Sequence, residues 1–144
     1  MADLSQRVVD FLSAGTRTAM LGYVAADGRP LVAPVWFVVD MEQDGGHLVF
    51  TTGRDTSKGR ALKRDPRVVI CVDDPHPPYS FVQVQGVAAW SEDPDEVLEF
   101  ATRTGARYMG ADRAEEFGRR NAVPGELVVR VRPIKVNAGF DIAN

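Results

Sequence analysis

Thr18-Ala19-Met20-Leu21-Gly22-Tyr23-Val24-Ala25-Ala26-Asp27-Gly28-Arg29-Pro30-Leu31-Val32-Ala33-Pro34-Val35-Trp36-Phe37-Val38-Val39 is the stretch that decides the fold class. Thr18 to Ala25 reads as a strand. Ala26-Asp27-Gly28-Arg29 reads as a tight hairpin turn, because Asp-Gly supplies the positive φ angles such turns need. Pro30 to Val39 then returns as a second strand. Pro34 has no N–H to give a ladder, so it marks an edge, a bulge or a place where something else approaches the strand.

Working outward, the same grammar repeats. Glu42-Gln43-Asp44-Gly45-Gly46 is a turn, and His47 to Thr52 a third strand. Arg67 to Asp73 and Ser80 to Trp90 are the fourth and fifth. A sixth, Glu126 to Val136, sets Leu127, Val129 and Val131 against Arg130 and Arg132. Helices are expected from Asp3 or Ser5 to Ser13, from Ser57 to Arg64, from Asp93-Pro94 to about Thr104, and from about Asp112 to Asn121. Pro66 stops the second of these, since the residue before proline avoids helical backbone. Strands joined mostly by hairpins, with helices inserted late, predict a mainly β domain: an antiparallel β-barrel, closed or partly closed, with flanking helices.

Composition bounds the rest. The chain has 144 residues, 44% hydrophobic and 26% charged, which suits one domain with a real core. The net charge of -3 argues against a dedicated nucleic-acid binder while leaving room for a local basic pocket. Cys71 is the single cysteine, so no internal disulfide can form. It is read as a small core residue, and a cytoplasmic location is expected. The N-terminal residues lack a basic segment followed by an apolar one, and no stretch approaches the roughly 20 apolar residues of a membrane span. Neither a signal peptide nor a membrane association is therefore expected.

The chemistry concentrates in Phe50-Thr51-Thr52-Gly53-Arg54-Asp55-Thr56-Ser57-Lys58-Gly59, a strand, a polar turn and a helix start. A helix N-terminus presents free amides and the positive end of its dipole. Here it is joined by the hydroxyls of Thr51, Thr52, Thr56 and Ser57 and by the cations Arg54, Lys58 and Arg60. Cations at that end of a helix are locally unfavourable, which suggests an anion among them. The plainer alternative is a helix cap at Thr56 or Ser57 followed by a solvated basic face. The glycine spacing is not that of a Walker loop. No nucleophile with a partnered base and no metal-ligand cluster stands out. His47 is expected to be an exposed bystander, and Arg103 and Arg107 to lie on a solvated helix face.

Phe50-Thr51-Thr52, Thr56-Ser57-Lys58-Gly59, Leu62, Asp65-Pro66-Arg67-Val68 and Val82-Gln83-Val84-Gln85-Gly86 resemble, in order and spacing, the pyridoxamine 5'-phosphate oxidase-like, FMN-binding split-barrel superfamily. The resemblance covers about residues 5 to 136. It implies a six-stranded split β-barrel that forms a homodimer, with the cofactor ring in a groove between protomers. It places Thr51, Thr52, Ser57 and Lys58 on the cofactor phosphate, and Pro34, Val35 and Trp36 near the ring. The true oxidases grip FMN with an arginine and a lysine on the second strand. The matching positions here are Leu31 and Trp36, which cannot do so, and the oxidases' C-terminal substrate-binding signature is also missing. Ala33-Pro34-Val35-Trp36-Phe37, with a composition rich in Arg, Ala, Val and Asp, looks more like the actinobacterial reductases that use the deazaflavin coenzyme F420. That cofactor carries a phosphodiester and an anionic tail, which gives Arg54 and Arg60 a role beside Lys58. The expectation is therefore an F420-dependent reductase acting on a small electron-poor molecule such as an enone, a quinone or a tetrapyrrole. An FMN-dependent oxidoreductase and a non-catalytic cofactor-binding protein remain the alternatives.

Overall fold

A computed structural model describes residues 2–144. In chain order the elements are α1 (Gln6–Ser13), β1 (Ala19–Val24), β2 (Pro30–Val35), β3 (Val38–Asp40), β4 (His47–Gly53), α2 (Ser57–Arg64), β5 (Arg67–Asp74), β6 (Ser80–Ser91), α3 (Pro94–Met109), α4 (Ala114–Asn121) and β7 (Glu126–Gly139). A short 3-10 turn, Ala111–Arg113, links α3 to α4. Local signals explain most of these boundaries. The Ser5 hydroxyl accepts from the Val8 amide and caps α1. Proline opens α3 behind the Asp93 cap, and Gly110, at φ 103°, ends it well beyond Thr104. Gly28 carries the positive φ of the Asp-Gly turn.

The described residues contain seven strands rather than six, because the return strand of the first hairpin breaks at Trp36-Phe37. There the backbone leaves the ladder and bonds to α3 instead. The Tyr108 hydroxyl accepts from the Phe37 amide at 3.3 Å, and the Arg107 guanidinium donates to the Phe37 carbonyl at 2.7 Å. All pairings are antiparallel, in the order β2-β1-β5-β6-β7-β4-β3. The two edge strands, β2 and β3, are thus neighbours in sequence. Their connection spans at most about 11 Å. The sheet must therefore curl until its edges nearly meet, yet no ladder joins them. The result is a barrel left open along one seam.

Its interior is filled by Leu21, Phe37, Phe50, Ile70, Val82 and Leu127, among others, all fully buried. A second cluster of Val38, Val49, Val97, Phe100 and Val128 lies under α3 on the other face of β3, β4 and β7. That is why Leu48-Val49-Phe50 and Leu127-Val128-Val129 are buried without alternation: this part of the sheet is covered on both sides.

Arg103 and Arg107 depart from the expected solvated face. Arg107 is partly buried and donates to the carbonyls of Leu12, Gly15 and Phe37. Arg103 donates to the Val39 carbonyl and lies beside Glu99 and Asp40. Asp40, only 2% exposed, takes a 2.7 Å bond from Arg130, which also binds Glu96 at 3.0 Å. The group ties β3, α3 and β7 together. Burial alone raises the Asp40 carboxyl, but the bonds from Arg130 and the Glu42 amide, with the charges of Arg130 and Arg103, outweigh it and hold the pKa below the usual value.

Removing Arg130 leaves that carboxylate buried without its main partner. Arg130→Met is expected to lower unfolding free energy by about 3–5 kcal/mol in denaturant titration. Because the folded pKa is depressed, the stabilisation from Asp40 is present above the unfolded value of about 3.9 and is lost as pH falls through the lower, folded value. Asp40→Asn should therefore be less stable at neutral pH and show a flatter acid limb. An unchanged acid limb would exclude Asp40 as its source.

Candidate functional site

The open seam creates a cleft of about 470 Å3 beside the β2–β3 break. Pro34, Val35 and Trp36 form one wall, at the end of β2. Thr51 of β4 and Lys58 of α2 also line it. Thr18, Ala101, Thr104, Asn121 and Glu126 complete the lining.

The basic side is built locally. Thr56 is the N-cap of α2, its hydroxyl accepting from the Gly59 amide at 3.1 Å and donating to the Gly53 carbonyl at 2.7 Å. Its hydroxyl also lies 3.2 Å from that of the buried Thr52. The first helical bond is made by the Arg60 amide to the Thr56 carbonyl. The Ser57 and Lys58 amides therefore precede the hydrogen-bonded ladder and point outward. Gly59 lets the helix start sit directly on β4: a Cβ there would collide with the Gly53 carbonyl. Lys58 makes no ion pair within 4.0 Å among the described residues. It is the free cation of this helix start that faces the cleft.

The aromatic wall is held from behind. Trp36 is 44% exposed and stacks flat on Tyr108, with ring centroids 4.7 Å apart at an angle of 1°. The Tyr108 hydroxyl donates to the Arg17 carbonyl at 2.9 Å while accepting from Phe37, so the platform has little freedom to tilt. Burial, partly offset by the Phe37 bond and the Arg107 charge, keeps this phenol above its usual pKa and protonated.

Of the ten residues proposed from sequence, five line this cleft: Pro34, Val35, Trp36, Thr51 and Lys58. Thr52 and Thr56 face each other inside the turn. Ser57 is exposed at the helix start, 3.4 Å from the Tyr23 hydroxyl. Arg54 pairs with Glu92 at 3.1 Å and, with Thr56, lines a second cleft of about 380 Å3 on the far side of the turn. Arg60 is exposed and braces the Asp55 carbonyl. These two arginines do not converge on the larger cleft with Lys58.

Thr18, Thr104, Asn121 and Glu126 were not singled out in the sequence, where nothing marks them. They reach the cleft from the residue before β1 and from α3, α4 and β7, which only tertiary packing brings together. Thr104 is notable because its hydroxyl is buried without a hydrogen-bond partner.

The minor candidates lie elsewhere. His47 is partly buried, not exposed, and its Nδ1 has no partner; burial, with the Arg130 charge, holds its pKa down. His76 is exposed and bonds Asp74. Cys71 is half-buried on the outer sheet face rather than in the core. No group of three or more His, Cys, Asp or Glu with metal-binding geometry occurs among the described residues. No helix among them is long and apolar enough to cross a membrane.

Known proteins place this architecture. A solved structure named F420 Reductase is 28% identical, with a TM-score of 0.68, over 89% of this chain and 94% of that one. A conserved hypothetical protein of Mycobacterium tuberculosis superposes with a TM-score of 0.81 at 24% identity, over 98% and 89% of the two chains. The heme storage protein HutZ of Vibrio cholerae shares the fold at 18% identity and a TM-score of 0.71, over 99% of each. Curated protein sequences gave no match. The family model described as pyridoxamine 5'-phosphate oxidase matches residues 4–138. Matched over nearly its whole length and folded as an antiparallel, seam-open barrel, this chain belongs to the pyridoxamine 5'-phosphate oxidase family.

Proposed function

We propose that the chain is a reductase that holds coenzyme F420 in the Trp36–Lys58 cleft of a homodimer and passes its hydride to a small electron-poor substrate. The observation that carries this reading is Lys58, a cation at a helix N-terminus without an ion pair among the described residues, lining the same cleft as an apolar aromatic wall. That is one charge-assisted contact for one phosphate and one surface for a ring. The F420 Reductase at 28% identity supports the same choice. So does β2 itself. Leu31, opposite Tyr23 in the ladder, packs toward the core, and Trp36 stacks on Tyr108. Neither position offers the cations that a phosphate monoester such as FMN would use.

When bound, the deazaflavin supplies the hydride. The chain supplies position and electrostatics. Lys58 and the Ser57 and Lys58 amides set the depth of the phosphate. Thr51 adds a hydroxyl. The Pro34–Trp36 wall would offer an apolar surface to the ring, and the Thr104 hydroxyl, without a partner among the described residues, would offer a hydrogen bond to whatever fills the cleft.

The second protomer covers the outer face of β1 and β2. Met20, Gly22 and Val24 of β1 register with Pro34, Val32 and Pro30 of β2, and none of these six residues is charged. Val32 is 65% exposed and Met20 42%. An uncharged patch of that kind, beginning at Pro34 on the rim of the cleft, suits a self-complementary interface.

Lys58→Ala is expected to weaken coenzyme F420 binding by about 1.5–3 kcal/mol in a fluorescence titration. Unchanged affinity, or tight FMN binding without F420 binding, would overturn the assignment. Val32→Glu should shift the particle in light scattering from dimer to monomer and weaken cofactor binding with it. A variant that stays dimeric would move the interface elsewhere.

A further inference from the structure

Glu126 is out of place in an anion site. It begins β7 opposite Gly53, where its Oε1 lies 3.7 Å from the position a Cβ on Gly53 would take. It lines both the larger cleft, with Lys58 and Thr51, and the smaller one, with Arg54 and Asp55. The residue is partly buried; its amide donates to the Val123 carbonyl, but its carboxylate has no hydrogen bond and no ion pair within 4.0 Å among the described residues. Lys58 faces it from α2. The β4–α2 turn contributes Arg54, already paired with Glu92, and Asp55. The β4, α3 and α4 residues around the cleft (Thr51, Ala101, Thr104, Asn121) do not titrate.

A carboxylate and an ammonium on the same cleft, too far apart to pair, leave an opening between them whose local charge nearly cancels. Resting on the assignment of a cofactor phosphate to Lys58, we propose that Glu126 determines which phosphate enters, admitting a singly charged phosphodiester and discriminating against a doubly charged phosphate monoester. The helix N-terminus adds only about half a positive charge to Lys58. A phosphodiester brings one negative charge and, with Glu126 ionised, leaves the opening only about half a charge negative. A monoester at neutral pH brings about 1.5 to 2 charges. The excess faces the carboxylate, and like-charge juxtaposition is an effective way to reject a ligand. Burial holds the Glu126 carboxyl above its usual pKa, with the Lys58 charge pulling it partly back. The discrimination is therefore expected to strengthen as pH rises and Glu126 ionises.

The test compares coenzyme F420, a phosphodiester, with FMN, a monoester, by calorimetric titration of the parent, Glu126→Gln and Glu126→Asp. Thermal melting checks that each variant is folded. Glu126→Gln is expected to tighten FMN binding on the order of tenfold, the scale on which one close charge acts in a partly solvated site, and F420 binding by clearly less, so that the F420-to-FMN preference falls. Glu126→Asp, which keeps the charge, should retain the parent's preference. If Glu126→Gln leaves the F420-to-FMN ratio unchanged in a parent that prefers F420, this inference alone is overturned. A parent that prefers FMN, or binds neither, overturns the functional reading and this inference with it.

Discussion

The structure depends on how α3 grips the break at Trp36-Phe37. Two residues join the opposite edges of one sheet, and their backbone cannot bond to either edge. Buried amides and carbonyls left without partners are costly. Tyr108 and Arg107 supply those partners for Phe37, and the same two side chains also hold the Arg17 carbonyl and the C-terminal end of α1. The barrel can therefore stay open along its seam without exposing a ragged edge. The cleft begins at this break, at Pro34, Val35 and Trp36, so the bonds that excuse the missing ladder also hold one of its walls.

Two consequences follow for chemistry. The aromatic wall is rigid because Trp36 rests on a tyrosine whose hydroxyl is committed at both ends. The basic side is rigid because Gly59 allows α2 to sit on the end of β4 while Thr56 closes the turn beneath it. Ring and phosphate would thus be held by separate, independently braced elements. The Asp40–Arg130–Glu96 group anchors α3 from the other side and contributes nothing to the cleft lining. Most of the arginines with buried contacts serve architecture: Arg103, Arg107 and Arg130 all bond groups of the fold itself.

This separates the charges that looked alike in sequence. Lys58, Arg54 and Arg60 stand within one short basic stretch, and an anion site built from all three was a reasonable expectation. They diverge because helix geometry turns successive residues by about 100°. Lys58 turns to the cleft, Arg54 stays in the turn with Glu92, and Arg60 folds back on Asp55. Thr52 and Thr51 divide similarly, since adjacent strand residues point to opposite faces. Thr52 is buried against Thr56, and Thr51 reaches the cleft.

What the sequence determined by itself is everything carried by short-range physics: the Asp27-Gly28 turn, the Ser5 and Thr56 caps, the stop at Asp65-Pro66, and most of the strands of an antiparallel barrel. Those features depend on φ preferences, capping and period-two patterning, all legible over a few residues. Tertiary structure decided what depends on distant segments meeting. It broke the Pro30–Val39 strand in two, because partners for Phe37 arrive from α3, some 70 positions along the chain. It turned Arg107 from a surface residue into a strut. It also brought Thr18, Thr104, Asn121 and Glu126 to one cleft, where a carboxylate that looked like an ordinary strand end came to face Lys58. No local pattern encodes such a meeting, because its distances are set by the curl of the whole sheet.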